Sequence, residues 1–211
     1  MSRAPTRLVG LILAGGRSSR MGPGPPKPCL EIGARSMIGR VADRLAPYVD
    51  ELVIATDRPD LYGDLGGLCV CDAVPGYAGP LAGLQAAANH LQAAANRDLR
   101  LVTAPADTPF LPADFAPRLL DGATLDGLRV ATSFDRWHPA CATWPPTAID
   151  HLASLTLDAT RAPSLRSVMA TYAIEDIAFP ISLSAPGGDP FFNVNTPQDL
   201  ATARDFAVSR G

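Results

Sequence analysis

The sequence predicts an α/β fold of three layers, with a mainly parallel, Rossmann-like sheet. Short runs rich in β-forming residues alternate with amphipathic stretches of helix length along the chain. Such alternation is typical of a sheet that is covered by helices. The 211 residues are 47% apolar and 18% charged, so the chain can bury a sizeable core. We expect a single domain over residues 1–211, because no stretch is long enough to act as a linker.

Thirteen elements follow from the pattern. The predicted strands are 7–13, 51–56, 67–71, 99–104, 129–133, 140–144 and 172–178. The predicted helices are 36–46, 80–94, 112–121, 146–154, 164–170 and 197–208. Several of these helices begin with proline in the first turn, where the missing N–H does no harm. Thr196 and Asp199 form a T-x-x-D capping pattern at the start of the last helix. The segments 22–28 and 184–190, rich in proline and glycine, are expected to be loops.

Composition excludes some classes of function. The net charge of −3 argues against broad contact with nucleic acid or membrane, which favours a basic surface. The apolar stretch 8–14 is too short to cross a bilayer, and no signal peptide is evident. The four cysteines, at 29, 69, 71 and 141, lack the usual zinc spacing and are expected to be buried free thiols. These features together predict a cytoplasmic protein.

The most informative segment is a glycine-rich, cationic loop near the start of the chain. The apolar run 8–13 ends in Gly15 and Gly16, and the following loop carries Arg20 and Lys27 but no acidic residue. Glycines allow backbone N–H groups to approach a ligand, and cations neutralise phosphate. A plain tight turn with solvated arginines remains the alternative. The spacing matches neither G-x-G-x-x-G nor G-x-x-x-x-G-K-[ST], which argues against a dehydrogenase and a P-loop ATPase.

Two aspartates follow predicted strands and are expected at the same sheet edge as the glycine loop. They are Asp72 and Asp107, and ligands of parallel sheets bind outside the carboxyl ends of the strands. Asp107 is a candidate ligand for Mg²⁺ against a nucleotide phosphate, although an Asx-turn or helix-cap role stays equally open. Gly79 and Gly83 flank the start of a predicted helix, whose amino end would face the site.

Amides and a histidine are candidates for a second ligand. Asn193 and Asn195 occupy alternate positions of an extended segment, so both side chains are expected to face one way. Amides both donate and accept hydrogen bonds, which suits a heterocycle or a phosphate. His138 is a weaker candidate for the same cleft, since a lone histidine is more often structural.

Taken in order, these segments resemble the molybdenum cofactor guanylyltransferase (MobA-type) family of nucleotidyltransferases. The matching segments cover almost the whole chain: 13–22 with Lys27, then 79–83, 107–112 and 192–197. The resemblance implies a nucleotidyltransferase version of the α/β fold, with Mg²⁺ as the cofactor. It also implies roles for matching residues. Leu13, Ala14 and Gly15 resemble the backbone that meets the nucleotide, with Gly16 and Gly79 beside them. Lys27 resembles the phosphate-binding lysine, Arg20 an accessory cation, Asp72 a nucleotide contact and Asp107 the Mg²⁺ ligand. Asn193 and Asn195 resemble contacts to molybdopterin.

The implied activity is transfer of GMP from GTP to molybdopterin, with release of pyrophosphate. Leu-Ala-Gly-Gly at 13–16 is similar to the guanine-using enzymes, and delivery of the product implies molybdoenzyme or chaperone partners. The chain departs from the family at Pro26, where an acidic residue is usual, and at Ala55, where asparagine is usual. Pro-Lys-Pro at 26–28 is similar to sugar-phosphate nucleotidyltransferases. A CTP-using molybdopterin cytidylyltransferase, a sugar-phosphate nucleotidyltransferase and a non-catalytic nucleotide-binding adaptor are the alternatives.

Overall fold

The protein is built around a central β-sheet. The computed structural model describes residues 6–15, 24–71, 79–93, 98–157 and 163–209. Its strands are β1 (Arg7–Leu13), β2 (Glu31–Ile32), β3 (Arg35–Ser36), β4 (Glu51–Ala55), β5 (Leu68–Val70), β6 (Leu99–Pro105), β7 (Gly127–Ser133), β8 (Arg136–Trp144) and β9 (Ala173–Ala178). Its α-helices are α1 (Met37–Leu45), α2 (Pro80–Ala93), α3 (Phe115–Leu120), α4 (Pro146–Ser154), α5 (Leu165–Met169) and α6 (Pro197–Val208).

Seven of the described strands form one sheet, in the order β5-β4-β1-β6-β8-β7-β9. β1 is parallel to both of its neighbours, β4 and β6. β8 is antiparallel to β6 and β7, whereas β9 is again parallel to β7. The predicted α/β class and mainly parallel sheet are therefore confirmed. The parallel strands β4, β1 and β6 end at one edge, where Leu13 is in register with Ala55 and Pro105.

Helices cover the sheet on both faces. α2, α4 and α5 share one apolar cluster with Leu11 of β1, while α1 and α3 share another with Ile12 of the same strand. Leu11 and Ile12 are both fully buried, because successive side chains of a strand point to opposite faces. This explains why β1 reads as a continuous apolar run and not as an alternating one. The three predicted layers are present.

A third apolar cluster attaches the end of the chain to the sheet. α6 packs there through Leu200 and Ala203 against Ile32 of the β2–β3 hairpin and against Phe110. The predicted capping pattern is confirmed: Thr196 accepts a hydrogen bond from the Asp199 N–H, and the Asp199 carboxylate accepts from the Thr196 N–H. The cap therefore determines where the chain turns from the extended segment before it into α6.

The predicted elements are present, and several of their ends differ. The helix predicted over 112–121 is Phe115–Leu120, because Pro112 forms a turn that accepts from the Phe115 N–H. The strand predicted over 140–144 extends back to Arg136, where polar residues conceal the strand pattern. The β2–β3 hairpin was not predicted, since strands of two residues show no periodicity. The predicted end of α2, Ala94, lies outside the described residues.

Two irregularities shape the β7–β8 hairpin. Phe134 and Asp135 form its two-residue turn and both have positive φ, 48° and 55°, as a type I′ turn requires. Farther along, the pairing steps from Val130–Ala142 directly to Ala131–His138, which leaves three residues of β8 unpaired with β7. Such bulges re-aim side chains and are frequent beside functional sites.

The expectation that all four cysteines are buried is wrong. Cys141 is buried, which raises the pKa of its thiol, whereas Cys29 and Cys69 are half-buried and Cys71 is exposed. β5 is an edge strand of the sheet. The segment that carries Cys69 and Cys71 therefore has a neighbouring strand on one side only. All four are free thiols. Among the described residues no helix has the length and apolar character needed to span a membrane.

Candidate functional site

The carboxyl edge of β4, β1 and β6 brings together residues predicted to meet a nucleotide. Ala14 N donates to Ala55 O at 2.9 Å, and Ala106 N donates to Leu13 O at 3.0 Å. These bonds continue the sheet pairing by one residue, after which the chain leaves the sheet at the exposed Gly15. The segment that carries Asp107 therefore lies next to the end of β1, as predicted. Gly16, Arg20 and Asp72 lie outside the described residues.

The amino end of α2 closes against this edge. A narrow cleft of about 10 Å³ is lined by Leu13, Gly15, Ala55, Gly79, Pro80 and Gly83. A Cβ atom at Gly83 would lie 2.9 Å from Ala55 Cβ and 3.0 Å from Leu13 Cδ2, so only glycine allows the helix to come this close. The cleft has room for about one water molecule, and its walls are the first turn of a helix and the ends of two strands. Such a surface suits an anion, because the helix dipole is positive at this end.

Lys27 connects three segments that are far apart in the sequence. Its Nζ donates to Asp107 Oδ2 at 2.7 Å and to Asn195 Oδ1 at 2.9 Å. The side chains of Lys27 and Asp107 are 14% and 26% exposed, so the ion pair is shielded but still reaches solvent. The ammonium thus joins the loop of Lys27, the segment after β6 and the segment before α6.

Backbone contacts fix the two partners of Lys27. Val194 N donates to Asp107 O at 3.0 Å. Asp199 Oδ2 accepts from Asn195 N at 2.9 Å and from Thr196 N at 2.8 Å. Burial opposes ionisation of Asp199, yet these hydrogen bonds outweigh it and hold the pKa of its carboxyl below the ordinary range. The cap of α6 therefore also positions Asn195.

A larger cavity, of about 480 Å³, contains the residues predicted to bind a second ligand. Its lining residues are Pro105, Thr108, Arg136, Trp137, His138, Pro139, Ala140, Cys141, Asp189, Phe191, Asn193 and Asn195. Asn193 and Asn195 both line it while Val194 between them is fully buried, which agrees with the predicted alternation. The volume is in the range of small-molecule sites. The unpaired residues of the β8 bulge form part of its wall.

His138 is held on two sides within this cavity. Its Nε2 lies 2.8 Å from Ser133 Oγ, and its ring stacks on Phe191 with centroids 4.3 Å apart. Burial lowers the pKa of the imidazole; Asp189 raises it and Arg136 lowers it, and the net result is below the ordinary value of 6.5. His138 is therefore neutral near pH 7 and is able to both donate and accept a hydrogen bond.

The oxygen donors beside Lys27 suit a divalent cation bound together with a nucleotide. Asp107 Oδ2 and Asn195 Oδ1 both lie within 3 Å of the same ammonium, and Mg²⁺ prefers carboxylate and carbonyl oxygens. Across the described residues no group of three or more His, Cys, Asp or Glu side chains is arranged to hold a metal.

Residues 10–176 match the family model described as "MobA-like NTP transferase domain", which is most of the chain. The chain belongs to the MobA-like NTP transferase family. A protein from Rhizobium meliloti (strain 1021), named molybdenum cofactor guanylyltransferase, is 38% identical over 209 residues, which cover 96% of this chain and 94% of that protein. A protein of the same name from Cereibacter sphaeroides is 42% identical over 201 residues, covering 93% and 95%.

A solved structure of a MobA-like protein has the same fold. It is described as molybdopterin-guanine dinucleotide biosynthesis protein A from Archaeoglobus fulgidus, and it matches with a TM-score of 0.69 and 21% identity. The match covers 96% of this chain and 99% of that one. The resemblance inferred from the sequence is therefore confirmed at the level of family and fold.

Sequence reasoning missed several residues in and beside the larger cavity. Arg136 and Asp189 line it, and Ser133 lies beside it; the three contact His138 or one another. Arg136 lay outside the predicted strand, and Asp189 lies in the proline- and glycine-rich stretch that reads as an ordinary loop. One signal was present: Asp189 Oδ1 accepts from Phe191 N at 2.9 Å, an Asx-turn that Asp-Pro-Phe predicts. That signal indicates a turn but no ligand.

Proposed function

We propose that this MobA-like protein transfers GMP from GTP to the terminal phosphate of molybdopterin and releases pyrophosphate. The family match and the names of the two relatives support this reaction. The observation that carries it is the double contact of Lys27. Its ammonium bonds to Asp107 at the glycine-rich edge and to Asn195 in the lining of the larger cavity, so one cation lies where two anionic substrates would meet.

The reaction needs positioning and charge neutralisation more than acid–base chemistry. An oxygen of the acceptor phosphate attacks the α-phosphorus of GTP, a new P–O bond forms, and the bond to the pyrophosphate oxygen breaks. The attacking phosphate is already anionic near neutral pH, so no strong base is required. We assign Lys27 and Arg20 to offset the charge of the transferring and leaving phosphates. Leu13, Ala14, Gly15, Gly16, Asp72 and Gly79 are assigned to the nucleotide.

We assign Asp107 as the protein ligand of Mg²⁺, which when bound supplies positive charge to the phosphate oxygens. In the structure Asp107 bonds to Lys27, so its carboxylate is already held at the junction of the two half-sites. The main-chain bond from Val194 keeps the aspartate loop against the segment that carries the amides. Asn193, Asn195 and His138 are assigned to the acceptor.

The reaction is tested with purified protein, molybdopterin and each of GTP, CTP, ATP and UTP, with and without Mg²⁺. Of these combinations, only molybdopterin with GTP and Mg²⁺ is expected to release pyrophosphate and to give the guanine dinucleotide product, which is identified by mass. Product from CTP would instead support a cytidylyltransferase. Turnover with sugar phosphates in place of molybdopterin would support the sugar-phosphate class that Pro26 and Pro28 resemble. Binding of GTP without turnover of any acceptor would indicate a non-catalytic adaptor.

A further inference from the structure

A chain of hydrogen bonds runs along the wall of the larger cavity and ends at His138. Arg136 donates to Asp189 Oδ2 at 3.2 Å. Asp189 Oδ1 lies 3.5 Å from Ser133 Oγ, and Ser133 Oγ lies 2.8 Å from His138 Nε2. Ser133 is 5% exposed and the Asp189 side chain 20% exposed, whereas the Arg136 side chain is 64% exposed. The part of the chain from Asp189 to Ser133 is therefore largely shielded from solvent.

The number of available protons decides the direction of these bonds. A serine hydroxyl has one proton to donate, and an ionised carboxylate only accepts. If Ser133 donated to His138, its contact with Asp189 would place two acceptors against each other. If Ser133 donates to Asp189 and His138 Nε2–H donates to Ser133, both contacts are hydrogen bonds, and one of them has a charged acceptor. The second arrangement is therefore favoured, and it leaves Nδ1 of His138 without a proton.

The unprotonated Nδ1 is the free acceptor of this ring. It has no hydrogen-bond partner within the part of the chain that the structure describes, and the ring lines the cavity assigned to the acceptor. Phe191 stacks on the ring and prevents it from turning freely. A pterin carries N–H donors on its pyrimidine ring, and a lone pair on a fixed neutral imidazole matches such a donor.

We propose that Ser133 and Asp189 are positioning residues that hold His138 as the Nε2–H tautomer, so that His138 Nδ1 accepts an N–H of the pterin ring of the acceptor. The recognition step rests on the proposed function, whereas the tautomer belongs to the protein alone. Ser133 and Asp189 act through His138 and touch no reacting atom. They therefore affect binding of the acceptor and leave binding of GTP unchanged.

The tautomer is measured by ¹⁵N NMR of the full chain labelled at histidine, at about pH 8, where imidazole is neutral. The chain has three histidines, so His90 and His151 serve as internal controls. We expect a single Nε2–H pattern for His138. In Asp189→Ala the Ser133 hydroxyl is free to donate to Nε2, and we expect loss of that pattern. Asp189→Asn keeps the Oδ1 acceptor and should restore it. An Nδ1–H pattern in the unmodified protein, or no change in Asp189→Ala, overturns the proposal.

Steady-state kinetics test recognition. Asp189→Ala and Ser133→Ala are each expected to raise KM for molybdopterin about 5- to 10-fold, the value of one hydrogen bond, with unchanged KM for GTP. Ser133→Ala serves as the second variant because it leaves the Asp189–Phe191 turn intact. Unchanged KM for molybdopterin in both variants overturns recognition through Nδ1. Failure of the unmodified protein to use molybdopterin overturns the proposed function instead, and the NMR result then stands as the test of the tautomer.

Discussion

Removing the ammonium of Lys27 separates a catalytic role from a structural one. Lys27→Met keeps an unbranched side chain of similar length but deletes the donor to Asp107 and Asn195. Because the ion pair is largely shielded, with side chains 14% and 26% exposed, and Asp107 would lose its partner, the substitution should cost about 1–3 kcal/mol of folding free energy, or about 2–12 °C in Tm for a chain of this size. If the ammonium neutralises the reacting phosphates, the rate of GMP transfer should fall on the order of 10²–10³-fold.

The assay compares pyrophosphate release with thermal melting for Lys27→Met and Lys27→Arg. Lys27 is the only lysine in the sequence. After ¹³C-methylation of the amines, its side chain therefore gives one NMR signal, apart from the signal of the N-terminal amine. We expect GTP with Mg²⁺ to shift that signal and to slow its modification. Near-normal transfer by Lys27→Met would refute the assigned role. A loss of rate that merely follows a large drop in Tm would refute it too. Lys27→Arg retains the charge but not the compact geometry, so an intermediate rate is expected.

Three further predictions concern packing, backbone and pH. Gly83→Ala should destabilise the fold by about 1–3 kcal/mol through overpacking. Gly63→Ala is the control, because nothing lies within 4 Å of the new Cβ, and it should leave Tm nearly unchanged. Equal shifts of Tm in the two variants would contradict this prediction. Asp135→Gly should raise stability by about 1 kcal/mol, because φ of 55° strains a non-glycine residue, and chemical denaturation measures it. Burial lowers the pKa of His138 below 6.5, so KM for the acceptor should be flat above that pH and rise as pH falls through the lowered pKa. In His138→Asn, whose side chain does not titrate, KM should follow only the ionisation of the acceptor phosphate. Identical pH profiles of KM in the two proteins would exclude His138 as the group whose protonation weakens acceptor binding.

The sheet and its helices were predictable because their signals are local. Apolar runs, proline at the first helical turn and the T-x-x-D cap depend on neighbouring residues, and β1, α4 and α6 begin and end where the pattern predicts. The β2–β3 hairpin was missed because strands of two residues carry no period. The strand order explains the error over the cysteines, since the sequence does not indicate that β5 lies at an edge.

The site was predictable only in part, for the same physical reason. Glycines and an aspartate that follow strands predict one shared edge, and Gly15 and the segment of Asp107 lie at it, because the carboxyl ends of parallel strands share one side of a sheet. That a nucleotide binds at this edge stays a proposal. The contacts of Ser133 with His138 and with Asp189 depend on the register of the β7–β8 hairpin and on a turn whose Asp189 lies 56 residues after Ser133. Neither feature leaves a pattern in the sequence that distinguishes it from an ordinary loop.

The position of Asn195 shows how the fold joins the two proposed half-sites. Its side chain accepts from Lys27 and lines the larger cavity, and its main-chain N–H is held by Asp199 at the cap of α6. The neighbouring Val194 N–H is held by Asp107 O, so the segment of the amides is bonded to the aspartate loop once directly and once through the Lys27 ammonium. Because one ammonium and one main-chain bond join them, neither half can move far without the other. A transfer reaction between two anions requires such a fixed separation, since orientation supplies much of the rate when no strong base takes part.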